Sequence, residues 1–162
     1  MTNTPAHPKY EAKVIVVSDG VAAGTRQDKG APALQAALET AGLLVVETIV
    51  TPDGTQEVAE TLRGATQDFY GLVVTTGGTG FGPRDQTPEG TKAIIEREAP
   101  GLAEAMRLVN PLGRLSRGVA GVRRNALILN VPGSPKGAVE CLEAVIDVVP
   151  HALELLAGKS TH

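Results

Sequence analysis

Residues Gly71–Asp85 read G-L-V-V-T-T-G-G-T-G-F-G-P-R-D and carry the clearest structural signal in the sequence. Its first residues, Gly71–Thr75, form a short β-branched run, which is typical of a strand buried on both faces. The strand runs directly into a loop that contains Gly77, Gly78 and Gly80, and glycines let a backbone approach a ligand closely. This stretch predicts a strand of a parallel sheet that ends in a binding loop.

Strands and helices alternate outward from this stretch. Apolar runs predict further strands at Lys13–Ser18, Leu43–Val50, Val119–Arg123 and Ala126–Val131. Helical spacing and capping residues predict helices at Ala31–Ala41, Gly54–Thr66, Thr87–Glu98 and Pro100–Leu108, and a last helix after Pro135 that Pro150 should kink.

The alternation predicts an α/β fold, a three-layer sandwich in which a mostly parallel central sheet carries helices on both faces and a short antiparallel portion near the end. We expect residues 1–12 to form a flexible N-terminal arm. Residues 13–158 should form one domain, since their number is enough for a single core.

Composition excludes several classes of protein. The 162 residues carry a formal net charge of −3, which argues against a general nucleic-acid binder. Cys141 is the only cysteine, so neither an intrachain disulfide nor a cysteine metal cage is expected. No secretion signal and no apolar stretch of about 20 residues is present, so we expect a cytoplasmic protein without a membrane segment.

Polar and glycine residues follow four of the predicted strands. Ligands of open parallel sheets bind beyond the carboxyl ends of the strands. The residues found there are Ser18 and Asp19, Asp53, Thr76 to Asp85, and Pro132, Gly133 and Ser134. Successive N–H groups of the glycine loop can form a nest for phosphate oxygens. The loop matches neither the dinucleotide-binding fingerprint nor the P-loop motif. The alternative interpretation, that the loop only reverses the chain and binds nothing, stays open.

Asp53 and Asp85 are the two carboxylates at these strand ends, of the kind that holds Mg²⁺ beside phosphates. The spacing around Asp53 favours a helix N-cap, and Asp85 also fits a solvated loop residue or a partner of Arg84. Lys136 stands where it can meet an anion, and it equally fits a solvated surface lysine. Spacing alone does not decide among these roles.

The order of motifs resembles that of the molybdopterin-binding domain family. The matching stretches are V-I-V-V-S-D, T-P-D, T-T-G-G-T-G-F-G-P-R-D-Q-T-P-E, I-E-R-E-A-P-G, L-S-R-G-V-A-G-V-R and L-I-L-N-V-P-G-S-P-K-G, between about Lys13 and Leu156. The family includes bacterial molybdopterin adenylyltransferases of the MogA and MoaB types and the corresponding domain of gephyrin.

The resemblance implies that the chain acts in molybdenum cofactor biosynthesis, transferring AMP from Mg-ATP to molybdopterin with release of pyrophosphate. It implies that Asp53 and Asp85 are the catalytic or metal-assisting aspartates. It further implies a substrate- and nucleotide-binding set of Ser18, Asp19, Thr76, Gly77, Gly78, Thr79, Gly80, Ser116, Asn130, Pro132, Gly133, Ser134 and Lys136. A homotrimer and a molybdenum-insertion enzyme as partner are also implied.

Two departures from the family pattern leave an alternative open. Gly54 follows Asp53 where members often carry an acidic residue, and the segment Arg107–Leu115 is a few residues shorter than usual. The alternative hypothesis is a non-catalytic paralogue that binds molybdopterin or serves as a scaffold. A third interpretation is an unrelated phosphosugar or nucleotide binder on a similar sheet.

Overall fold

The computed structural model describes residues 10–159. The strands are β1 (Tyr10–Val17), β2 (Leu43–Thr51), β3 (Gly71–Thr76), β4 (Arg97–Glu98), β5 (Ala120–Arg123) and β6 (Ala126–Val131). The helices are α1 (Asp19–Ala22), α2 (Gly30–Thr40), α3 (Thr55–Thr66), α4 (Thr87–Lys92), α5 (Pro100–Arg107), α6 (Pro135–Glu143) and α7 (Val149–Leu156), with short 3-10 helices at Pro111–Leu115 and Ile146–Val148.

The six strands form one sheet in the order β2-β1-β3-β6-β5-β4. β2, β1, β3 and β6 are parallel, whereas β5 and β4 continue the sheet antiparallel beyond β6. The predicted fold class is therefore confirmed. The carboxyl ends of the four parallel strands meet at one edge of the sheet, as the sequence argument requires.

Two apolar cores cover the two faces of the sheet. One core lies between the sheet and α2, α5, α6 and α7, and the other lies beneath α3. Successive residues of β1 alternate between them: Val14 and Val16 enter the first core, and Ile15 and Val17 the second. The central strands are apolar without interruption because both of their faces are buried.

The amino-terminal boundary differs from the prediction. β1 begins at Tyr10 rather than Lys13, and its first residues pair with the start of β2 at Leu43. Pairing with a neighbouring strand thus extends β1 into the predicted arm. The remainder of that arm, residues 1–9, lies outside the described residues.

The helix predicted over Thr87–Glu98 ends at Lys92. The following backbone is engaged by β5 instead, because the Glu96 N–H donates to the Val122 carbonyl at 2.8 Å and the Ala99 N–H to the Ala120 carbonyl at 2.8 Å. Tertiary strand pairing overrides the local helical preference here.

The last predicted helix is two helices, not one kinked helix. α6 ends at Glu143, a 3-10 segment covers Ile146–Val148, and Pro150 lies in the first turn of α7. A proline lacks an N–H and is tolerated in a first turn, where that donor needs no partner. Pro150 therefore starts a helix rather than bending one.

Candidate functional site

Two cavities of different character open at the carboxyl edge of the parallel strands. A polar cavity of about 470 Å³ adjoins Asp53, Asp85, Gly77 and Gly78. A largely apolar cavity of about 420 Å³ adjoins Thr79 and Gly80 of the same loop. The glycine loop therefore contributes residues to both cavities.

Every predicted site residue except Asp19 lines one of these two cavities. The polar cavity is lined by Ser18, Asp53, Thr76, Gly77, Gly78, Asp85 and Gly133, together with Arg26 and Lys29. The apolar cavity is lined by Thr79, Gly80, Ser116, Asn130, Pro132, Ser134 and Lys136, with apolar walls from Met106, Leu112 and Leu115. The structure brings the predicted residues to one edge, but to two neighbouring spaces rather than one.

Glycine is required at the first two loop positions. Gly77 has φ +102° and Gly78 has φ +68°, values that L side chains rarely adopt. A Cβ at position 77 would lie 2.4 Å from the Val17 carbonyl oxygen, and one at position 78 would lie 2.2 Å from Thr87 Oγ1. These contacts explain the glycine pair in terms of space as well as backbone angle.

The loop offers fewer backbone donors than the sequence predicts. The Gly77 N–H donates to the Val131 carbonyl at 3.1 Å, so it is not available to a ligand. The N–H groups of Gly78, Thr79 and Gly80 have no acceptor among residues 10–159. A phosphate nest at this site would therefore begin at Gly78.

Asp53 is buried and is not the N-cap of α3. The cap is Gly54, at φ +126°, where a side chain would be strained, so the departure noted in the sequence matches the local backbone. Asp53 Oδ2 instead accepts the Asp19 N–H at 2.9 Å, and the Asp53 N–H donates to Asp19 Oδ1 at 3.1 Å. This reciprocal pair joins the ends of β1 and β2.

Arg84 covers this pair from the glycine loop. Its Nε donates to Asp19 Oδ2 at 3.1 Å, and its Nη2 to the Asp53 carbonyl at 2.8 Å. The hydrogen bond from Arg84 holds the pKa of Asp19 below its usual value. Asp19 is thus the partner of Arg84, and the alternative in which Arg84 pairs with Asp85 is not observed.

The pKa of Asp53 is shifted in the opposite direction from that of Asp19. Burial raises its pKa, the Asp19 N–H opposes that rise, and the charges of Asp19 and Asp85 raise the pKa further. The two effects that favour protonation, burial and like charge, prevail over the hydrogen bond. A cation placed beside Asp53 and Asp85 would relieve this repulsion.

Asp85 lies at the end of the glycine loop, where its Oδ2 accepts the Gly82 N–H at 2.9 Å. A Cβ at Gly80 would lie 3.1 Å from the same oxygen. The loop glycines thus leave room for this carboxylate, as Gly78 does for Asp53, whose Oδ1 would be 3.1 Å from a Cβ there.

The family model described as a probable molybdopterin binding domain matches residues 13–151. The chain belongs to this family. The molybdopterin adenylyltransferase of Haemophilus influenzae is 42% identical over 165 residues, spanning 90% of this chain and 83% of the relative. That of Escherichia coli K12 is 39% identical over 164 residues, spanning 90% and 84%.

A solved structure agrees with this membership. The molybdopterin biosynthesis enzyme MoaB of Thermus thermophilus has a TM-score of 0.86 to this molybdopterin-binding domain and is 45% identical to it, covering 94% of this chain and 99% of that one. The predicted family resemblance is confirmed over most of the chain.

Several hydroxyl and amide groups of the molybdopterin-binding domain serve its own fold. Ser18 Oγ accepts the Val21 N–H at 3.2 Å, and Ser134 Oγ accepts the Gly137 N–H at 3.1 Å, so each caps a helix. Ser116 Oγ accepts the Gly118 N–H at 3.2 Å. Lys136 is exposed at the cavity rim, 3.9 Å from Glu140.

Asn130 is a buried crosslink of the domain. Its Nδ2 donates to Thr75 Oγ1 at 2.9 Å and to Thr91 Oγ1 at 3.0 Å, and its Oδ1 accepts the Val119 N–H at 3.1 Å. The side-chain amide is thereby used within the protein, although the residue borders the apolar cavity.

Sequence reasoning missed Arg117, which contacts the loop directly, and Glu89, which pairs with Arg117. Arg117 is half-buried and donates to the Gly80 and Asp85 carbonyls and to the Glu89 carboxylate. In the sequence alone, a single arginine cannot be told apart from an ordinary surface residue. The one indication that Arg117 belongs to the site was its position in L-S-R, a motif shared with the family.

The donors of the domain suit a magnesium ion that arrives with phosphates. No group of three or more His, Cys, Asp or Glu side chains within residues 10–159 can hold a metal ion by itself. Mg²⁺ is commonly bound by one or two carboxylates plus substrate phosphates and waters. The crowded carboxylates of Asp53 and Asp85 fit that pattern.

Proposed function

We propose that this chain is a molybdopterin adenylyltransferase of molybdenum cofactor biosynthesis, acting in the cytoplasm. It would transfer AMP from Mg-ATP to the terminal phosphate of molybdopterin and release pyrophosphate. The observation that carries the proposal is the pair Asp53 and Asp85 in a polar cavity that adjoins the same glycine loop as an apolar cavity. The names of the two bacterial relatives support it.

The two cavities suit the two substrates. The apolar cavity, with Met106, Leu112 and Leu115 in its walls, suits the pterin ring system. The polar cavity, with Asp53, Asp85 and the backbone of Gly78, suits the ATP phosphates. The shared loop would bring the attacking phosphate and the α-phosphorus together.

The chemistry needs positioning and charge neutralisation rather than a protein nucleophile. A phosphate oxygen of molybdopterin forms a bond to the α-phosphorus, and the bond from that phosphorus to the pyrophosphate oxygen breaks. The attacking phosphate is already ionised at neutral pH. The N–H groups of Gly78, Thr79 and Gly80, which have no acceptor among residues 10–159, would stabilise the negative charge that develops.

Asp53 and Asp85 would hold the Mg²⁺ ion, which when bound neutralises phosphate charge. The raised pKa of Asp53 accords with this role, because a cation offsets the cost of ionising a carboxyl group among like charges. Arg84 would keep Asp19 occupied, so that Asp19 orients the Asp53 backbone instead of competing for the ion.

The test is to incubate the purified protein with molybdopterin and Mg-ATP and to detect adenylylated molybdopterin. Asp85→Asn should lower the rate by about 100-fold or more and largely preserve molybdopterin binding. Asp147→Asn, a change at an exposed position of the Ile146–Val148 segment, is the matched control. Binding of molybdopterin without turnover would instead support the non-catalytic paralogue.

We also propose that the chain forms a homotrimer that passes its product to a molybdenum-insertion enzyme. Leu108 and Leu112 are 80% and 72% exposed in the isolated chain, and apolar side chains so exposed suit a protein interface. Sedimentation should give a mass of about 50 kDa, three times the 16.7 kDa chain. A monomer at micromolar concentration would refute the trimer.

Among residues 10–159, none of the helices has the length and hydropathy required to cross a bilayer.

A further inference from the structure

Arg117 connects the segment beside the apolar cavity to the loop beside the polar cavity. Its chain neighbours Ser116 and Gly118 line the apolar cavity. Its backbone N–H donates to the Thr79 carbonyl at 2.9 Å, so the segment is already attached to the middle of the glycine loop.

The guanidinium of Arg117 joins both ends of the loop segment 80–85. Nε donates to the Gly80 carbonyl at 2.8 Å, and Nη2 donates to the Asp85 carbonyl at 2.7 Å. Between these two carbonyls lie Phe81 and Gly82, which are exposed. Apart from the guanidinium, hydrogen bonds between Gly82 and Asp85 close this segment. Arg84 attaches it to Asp19 and Asp53.

Glu89 anchors the far side of the guanidinium. Nη1 of Arg117 donates to Glu89 Oε1, in the first turn of α4. Burial opposes ionisation of Glu89, but Arg117 and the nearby backbone N–H together hold its pKa below the usual value. The second carboxylate oxygen, Oε2, is buried and has no hydrogen-bond partner among the described residues, so Arg117 is its main electrostatic support.

Only arginine can make this set of contacts at once. Its planar fork presents several N–H donors in fixed directions, whereas lysine is a point charge on a flexible stem. A lysine at position 117 could keep the ion pair with Glu89 or reach one carbonyl. It could not bridge Gly80 and Asp85 while it holds Glu89.

We propose that Arg117 is a positioning residue for adenylyl transfer. By fixing the Gly80 and Asp85 carbonyls, it holds the Asp85 carboxylate at the polar cavity and directs the Thr79 and Gly80 N–H groups to the reacting phosphate. Arg117 acts through the loop and needs no contact with either substrate. This inference rests on the proposed adenylyltransferase function.

Arg117→Lys tests the role, with Arg63→Lys as the matched control because Arg63 is exposed on the last turn of α3. We expect kcat to fall about 10-fold or more, while KM for molybdopterin changes less than about 3-fold. The Mg²⁺ concentration for half-maximal rate should rise, since Asp85 is displaced. Unchanged kcat in a folded Arg117→Lys protein would overturn the proposal.

A double-mutant cycle separates positioning from general stabilisation. If Arg117 acts through Asp85, Arg117→Lys should cost much less in the Asp85→Asn background than in the wild type. Equal losses in both backgrounds would overturn the proposal. Glu89→Gln, which removes the anchor with little change of shape, should lower kcat in the same direction, and it serves if Arg117→Lys does not fold.

The outcomes distinguish this inference from the proposed function. A wild type that forms no adenylylated molybdopterin refutes the function itself. An active wild type with an impaired Asp85→Asn variant and a fully active Arg117→Lys variant refutes only the role of Arg117.

Discussion

At the scale of single residues, Asn130 shows how the site edge is held together. Asn130→Ala would remove three hydrogen bonds and leave the Thr75 and Thr91 hydroxyls and the Val119 N–H without this partner. We expect a loss of about 2–4 kcal/mol in the free energy of unfolding, at about 1 kcal/mol for each bond plus the cost of buried unpaired groups. Urea unfolding measures it.

The comparison variant is Asn110→Ala, which removes one exposed bond to the Leu112 N–H. It should cost about 1 kcal/mol or less, as an exposed cap does. Equal losses at the two positions would show that the Asn130 network contributes little.

We expect the ionised Asp53 side chain to lower the free energy of unfolding, although the proposed function requires it. Because burial and the neighbouring charges raise its pKa, the folded state disfavours its ionised form. Asp53→Asn should therefore raise the free energy of unfolding at pH 7, by about 1 kcal/mol, while activity is lost.

The gain from Asp53→Asn should depend on pH with a definite sign. The destabilisation by Asp53 is fully present above its raised folded-state pKa, shrinks as the pH falls from there towards the unfolded-state pKa, and is absent below the latter, where both states are protonated. Denaturant unfolding at pH 7 and near pH 4 checks this. An advantage that is as large at pH 4 as at pH 7 would contradict the assignment.

The sequence could predict which carboxylates reach the site edge but not what each one contacts. Asp53 and Asp85 follow strands, so their position was available from the pattern alone. The Asp19–Asp53 pair, the Arg84 contact with Asp19 and the side-chain contacts of Arg117 join residues between 28 and 65 positions apart. Such contacts depend on loop paths that no local periodicity encodes.

At the level of secondary-structure elements, replacing a glycine by alanine should have opposite effects on stability in the glycine loop and in a helix. Gly77→Ala would place a Cβ 2.4 Å from the Val17 carbonyl oxygen at a positive φ. We expect it to destabilise the protein by about 2 kcal/mol or more and to abolish activity. Thermal unfolding and the adenylylation assay measure the two effects.

Gly64→Ala is the matched change in a regular element. Gly64 lies within α3, is exposed, and an added Cβ would meet nothing within 4 Å. This variant should stabilise the protein by about 0.5–1 kcal/mol, because alanine favours the helix. Destabilisation at position 64 comparable to that at 77 would mean that helix packing is tighter than the structure shows.

Element boundaries were predictable where local chemistry decides them. Pro100 begins α5 and Ala126–Val131 is β6, as expected. The end of α4 was not predictable, since its following residues are taken up by β5 through bonds to Val122 and Ala120. α1 was not predictable either, because a helix of four residues shows no periodicity.

At the scale of the whole molecule, two separate cavities predict simultaneous binding. A ligand at 100 times its Kd raises stability by about 2.7 kcal/mol. A nonhydrolysable ATP analogue with Mg²⁺ and molybdopterin should therefore each raise Tm, and the two together should raise it further. Mutual displacement of the two ligands would show that they share one space.

The architecture was the most predictable level. Uninterrupted β-branched runs alternating with helices allow few arrangements other than a parallel sheet covered on both faces. The division of the carboxyl edge of the sheet into two cavities could not be predicted from the sequence. It depends on α5 and the 3-10 helix at Pro111–Leu115, which place Met106 and Leu112 beside the loop.

The two cavities differ in how freely evolution can remodel them. The polar one is bounded by main chain in positive-φ conformations, where almost any replacement of Gly77 or Gly78 damages the fold. The outer wall of the apolar one is the surface segment 109–115, whose side chains are largely exposed. Insertions and substitutions in that wall would alter the shape of the cavity proposed for the pterin while the carboxylates stay in place. Differences in substrate preference between related proteins would therefore lie in segment 109–115. The glycine loop would stay the same wherever the chemistry is the same.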